Sequence, residues 1–200
     1  QLAATSSDAS GISSSTLSSI IGFTFDSANV TDYQGAIAAE ASLADVAALQ
    51  ALIDSVEASL VAFAAVQVAA TSSDGSTLTT DTLSAIRGLT FDSANFVDYQ
   101  GAIATETSIA DVAALQALID SVDASLAAFA AVQAAATNSD ASGISSTTLS
   151  SVIGLTFDSA NITDYQGAIA AEASITDVAA LQALINRVDA SLAAFAAVQL

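Results

Sequence analysis

Residues 42–69 read SLADVAALQALIDSVEASLVAFAAVQVA. Val46, Leu49, Ile53, Val56, Leu60 and Phe63 recur there at intervals of three and four, the seam of an amphipathic or coiled-coil helix. Ser42 supplies a hydroxyl for the N-cap and Asp45 a carboxylate at the third helical position. Alanine fills many intervening positions and proline is absent throughout, so one helix is predicted from about Ser42 to Ala69. At 1.5 Å per residue it would be ~40 Å long, more than a small module can cover.

The stretch returns twice. Ser108 with Asp111 and Ser174 with Asp177 open the same pattern, and Thr-Phe-Asp-Ser-Ala-Asn stands at 24–29, 90–95 and 156–161, a constant shift of 66. The chain is therefore read as three tandem helical modules, 1–68, 69–134 and 135–200. Gln1-Leu2 matches Gln199-Leu200, so both ends keep the phase of the repeat and continuation is expected, within a longer array or between chains.

Upstream of the long helix, each module opens on a polar turn cluster, Ser6 to Gly11 in the first. A helix of two or three turns should follow, with Leu17, Ile20 and Ile21 on one face and Gly22 ending it. A second short helix passes through Tyr33, Ala36 and Ile37. The fold class is all-α: three three-helix modules, each with two short helices and one long Ala-rich helix, arranged as an elongated array.

The segment Gly22, Tyr33, Ala36-Ile37, Ser42, Asp45-Val46, Leu49 and Ala51-Leu52-Ile53-Asp54, repeated from Gly88 and Gly154, resembles the bacterial albumin-binding three-helix module, the GA module, of cell-wall-anchored surface proteins. The likeness covers about half of each repeat. It implies a related helix arrangement and a setting of tandem bundles in large exported proteins, hence an extracellular or cell-surface location. In that family albumin is met mainly by the second helix and its flanks, with lysines contributing. The equivalents here, Asp32 to Glu40, are acidic or small, which argues against albumin as a partner.

Composition narrows the function. Arg87 and Arg187 are the only cations against a net charge of −19, which excludes phosphate-neutralising nucleic-acid binding and disfavours anionic membranes. The charge-free stretches of the long helices, Ala58 to Ser73 and Ala124 to Ser139, fall short of the ~20 residues of a spanning helix, so no membrane span is expected. With no histidine and no cysteine, the usual nucleophilic and soft-metal constellations cannot form. Asp26, Asn29 and Asp32 lack the order and glycine of a calcium loop, and Asp26 reads as a helix cap with Asp32 as a first-turn charge. Tyr33, Tyr99 and Tyr165 read as core residues whose hydroxyls reach solvent. Neither an enzyme nor a cofactor is indicated.

The apolar fraction is 53% and the charged fraction only 12%, so apolar surface is left for neighbours. Leu60, Phe63 and Val66, with Leu126, Phe129, Val132 and Leu192, Phe195, Val198, are the candidate packing residues between modules or subunits. The phenylalanines are expected to be buried in either case. The partners expected are other copies of the chain or flanking repeats. The function expected is self-association into an extracellular filament or surface fibre, with a stalk or ligand-binding array of an adhesin as the alternative.

Overall fold

A computed structural model describes residues 8–199. Among the described residues there are nine α-helices, three short 3-10 turns and no strand. The first group is α1 (Ser14–Ser18), α2 (Val30–Ala39) and α3 (Val46–Ser72); α4 (Thr80–Ala85), α5 (Phe96–Thr105) and α6 (Val112–Thr137) follow. The last group is α7 (Ser146–Ser151), α8 (Ile162–Ala171) and α9 (Val178–Val198). Two compact units are formed, one through Gln116 and one from Ala117.

The first helix is shorter than its sequence suggested. Ser13 caps α1 by accepting the Thr16 N–H at 3.2 Å, but the Ser19 hydroxyl already donates to the Thr16 carbonyl at 2.7 Å. Serines that compete for backbone groups favour such early endings. Leu17 is buried, Ile20 half-buried, and Ile21 is 98% exposed, so the three do not share a face. Gly22 then turns the chain at φ 77°, a conformation that costs glycine little. Asp26 caps the following 3-10 turn by accepting the Ala28 N–H at 2.9 Å, and Asp32 sits in the first turn of α2. Tyr33, Ala36 and Ile37 are buried, as their spacing predicted.

The long helix starts later than expected. Asp45, not Ser42, is the N-cap of α3, its carboxylate accepting the Ala48 N–H at 2.8 Å. Asp111 and Asp177 do the same for Ala114 and Ala180 at 2.8 and 2.7 Å. A charged acceptor facing the helix dipole is the stronger cap, and Leu43 folds against the first core instead of entering a helical turn. At its other end α3 runs on to Ser72, where Ser73 adopts φ 53°. The N–H groups of Ser73 and Asp74 return to the carbonyls of Ala70 and Ala69 at 3.1 and 3.0 Å, which closes the helix.

The predicted seam is not continuous along α3. Val46 is 46% exposed, whereas Leu52, Ile53 and Val56 join Ala9, Leu17, Tyr33, Ala36 and Ile37 in one core. Beyond Glu57 the buried positions are Ser59, Ala62, Val66, Ala69 and Ala70, and this stripe belongs with α4 and α5. The helix changes partners halfway, so one stripe cannot serve its whole length. In the unit from Ala117, Val132, Ala135 and Ala136 of α6 likewise share a core with Leu149, Tyr165, Ile169, Leu181 and Ile185. Alanines let the helices approach closely, and the core is close-packed around them.

Candidate self-association surface

Within the unit through Gln116, the second half of α3 meets the next repeat through an apolar stripe and a set of polar clamps. Val66 is wholly buried, as are Leu83 and, nearly so, Leu78, Ile86 and Ile109. The Gln67 side-chain amide donates to the Ile109 carbonyl at 3.0 Å. Ser59, a buried hydroxyl, accepts the Arg87 N–H at 2.9 Å, so its polarity is satisfied. The Arg87 guanidinium reaches the Ser55 hydroxyl at 2.8 Å and lies 3.9 Å from Glu40. In the unit from Ala117 the same geometry recurs: Val132 is wholly buried, Gln133 donates to the Ile175 carbonyl at 3.0 Å, and Ser125 accepts the Ile153 N–H at 2.9 Å.

The nine packing candidates divide by position. Leu60, Phe63, Leu126 and Phe129 are half-buried, and Val66 and Val132 are fully buried. In α9, Leu192 is half-buried while Phe195 is 63% and Val198 84% exposed. Burial expected of Phe195 is not met, because among the described residues no short helix lies over this half of α9 as α4 and α5 lie over α3. Ser191, the counterpart of Ser59 and Ser125, is exposed. The first repeat has the reciprocal surface. Ile12, Ile20, Leu43 and Leu49 are half-buried, whereas Leu78, Ile86, Ile109 and Leu115, each 66 residues on, are buried.

Glutamines hold the loops that shape these surfaces, and sequence reasoning missed them. Gln34, Gln100 and Gln166 donate to the carbonyls of Ile12, Leu78 and Ile144 at 2.6, 3.0 and 2.6 Å. Gln50, Gln116 and Gln182 pair both ways with the backbone of Thr24, Thr90 and Thr156, accepting the N–H at 2.9, 2.7 and 2.7 Å and donating to the carbonyl at 2.9, 2.9 and 2.8 Å. The available signal was a glutamine at the same place in every repeat. A primary amide, donor and acceptor at once, is suited to fixing a strand of irregular backbone.

The tyrosine hydroxyls do not reach solvent, contrary to expectation. Tyr33 is wholly buried, accepts the Asp26 N–H at 3.1 Å and donates to Glu57. Tyr165 accepts the Asp158 N–H at 3.1 Å and donates to Asp189 at 2.5 Å. Burial, then the hydrogen bond to the carboxylate, pushes each phenol's pKa up. At the turns that open the repeats, the Ser10 and Ser76 hydroxyls donate to Asp8 and Asp74 and hold those carboxyls below the usual range.

Among the described residues no group of three or more acidic side chains is gathered as a metal cage. The helices α3, α6 and α9 are each long and apolar enough to cross a membrane by length and composition, because they extend past the charge-free stretches on which the sequence expectation rested. Compared with known proteins, the chain matches no family model, no curated protein and no solved structure.

Proposed function

We propose that this is a structural repeat protein whose three-helix modules form an elongated array and self-associate, through apolar helix faces, into an extracellular filament or surface fibre. The observation that carries the reading is one residue type in three equivalent places. Val66 and Val132 are wholly buried, and Val198 is 84% exposed. Beside it stand exposed Phe195 and Ser191, and at the first repeat a matching set of half-buried aliphatics. Apolar patches of this kind on water-facing proteins are interaction surfaces. A contact between unlike faces repeats without closing, which generates fibres rather than dimers.

The extracellular setting follows from the resemblance to modules of exported surface proteins. The charge of −19 opposes association of like chains at low salt, so assembly should grow with ionic strength. Light scattering and electron microscopy at rising sodium chloride test this: fibres or long oligomers are expected, and monodisperse monomers at every salt and calcium concentration would overturn it. The alternative, a stalk or ligand-binding array in a larger adhesin, is supported by the way successive repeats cover one another within this chain. It predicts monomers that capture a host plasma protein.

A further inference from the structure

We infer that the joint between copies continues the 66-residue register of the chain, α9 of one copy covering the first repeat of a second copy as α3 covers α4. This rests on the self-association reading and names its partner surface. The two internal joints are built alike: a serine hydroxyl accepts the N–H of the residue 28 positions later, Ser59 from Arg87 and Ser125 from Ile153, both at 2.9 Å. A wholly buried valine lies seven residues beyond each serine. Ser191 and Val198 are the third such pair, and both are exposed.

The register assigns them to one place. In the first repeat the counterpart of Arg87 and Ile153 is Ile21, 98% exposed where Ile153 is 54% exposed. Ser191 of one copy accepts the Ile21 N–H of the next, and Val198 packs on half-buried Ile12, Ile20 and Leu49 of that copy, the counterparts of buried Leu78, Ile86 and Leu115. Small side chains make the approach feasible, since Ala194 stands where buried Ala62 and Ala128 stand in the other two helices. One internal contact has no equivalent. Arg87 brings a cation within 3.9 Å of Glu40 at the first internal joint only; Ile153 and Ile21 bring none, so the copy-to-copy joint resembles the second internal joint in lacking that ion pair.

The chain has no cysteine, which makes the register open to a disulfide test. The full chain carrying Ser191→Cys with Ile21→Cys is oxidised beside three controls: Ser125→Cys with Ile153→Cys, Ser191→Cys alone, and Ser191→Cys with Thr31→Cys. Positions bridged by a side-chain-to-backbone hydrogen bond lie within reach of disulfide geometry. The expected result is an intramolecular bond in the first control and a ladder of covalent multimers from Ser191→Cys with Ile21→Cys, in yield on the order of tenfold above the Thr31 control. Disulfide dimers from Ser191→Cys alone would mean a two-fold joint and overturn the register. Closure of the first control without a ladder, while the unmodified chain still assembles, overturns the register and leaves self-association standing. Absence of both ladder and assembly removes the self-association reading itself. Flotation of the chain with phosphatidylcholine vesicles, in place of assembly, assigns the exposed helix to a membrane and overturns both.

Discussion

The second half of α3 and the second half of α9 are near-identical in sequence and opposite in environment. Both carry a serine, an alanine and a valine at the same spacing, Ser59, Ala62, Val66 and Ser191, Ala194, Val198. The first set is buried and the second exposed. Burial is therefore set by the repeat packed over the stripe and not by the stripe itself. The difference also explains why a helix of 27 residues is retained in modules so small: its first half completes its own core, and its second half serves the next.

The most severe way to break the comparison is a carboxylate in each place. Val66→Asp puts a charge where no water reaches and should lower unfolding free energy by about 4 kcal/mol or more, summing lost side-chain burial and desolvation. Val198→Asp should stay within about 0.5 kcal/mol of the parent, as surface changes do, while abolishing assembly. Urea denaturation with circular dichroism reads the first, and light scattering the second. Equal destabilisation by both would show that α9 is covered in solution without a partner.

A gentler version removes one hydroxyl. Ser59→Ala removes a buried hydroxyl, leaves the Arg87 N–H without its acceptor and should cost about 1–2 kcal/mol. Ser125→Ala acts at a half-buried serine, in a more exposed hydrogen bond, and should cost about 1 kcal/mol or less. For Ser191→Ala the isolated chain should be unchanged in a denaturant titration and its assembly should shift to higher protein concentration. Loss of stability from Ser191→Ala in dilute monomer would contradict the exposed environment given to it.

Much of this arrangement was legible in the sequence. The period of 66, the all-helical class, the buried trio Tyr33, Ala36 and Ile37 and the excess length of the third helix all come from local spacing, which a sequence carries directly. What failed were choices settled by tertiary contacts. Ser42 and Asp45 both make good caps, and the pull of Leu43 into the core decided between them. The apolar seam could be counted, but its change of face past Glu57 depends on α4 and α5 arriving from the next repeat. The glutamine clamps were invisible because a polar residue on a helix reads as a solvated one until the loop it holds is placed over it.

The smallest effect, absent at neutral pH, tests whether the comparison stops at the helix covers or reaches into the cores. Tyr33 belongs to the core with half-buried Ile12 and Ile20 at its edge, and Tyr165 to the core shared with buried Val132. Both phenols are wholly buried and both are raised from the ordinary value of 10.0. A raised pKa means that the folded state keeps its proton longer than the unfolded one. The stabilisation is complete below about pH 10 and is lost as pH rises through the folded value. Histidine, cysteine and lysine are absent, so above the carboxylate range only the phenols and the amino terminus titrate before arginine, and phenolate absorbance can be followed without interference. Stability should be flat from about pH 6 to 9 and fall beyond pH 10, with Tyr33→Phe and Tyr165→Phe each removing a share of the fall. If Tyr33 ionises at the free value while Tyr165 does not, the half-buried face of the first repeat is loose in its core as well as at its surface. If both resist alike, each core closes on its own helices, and the exposed faces of the first repeat and of α9 are available to a partner without any rearrangement inside.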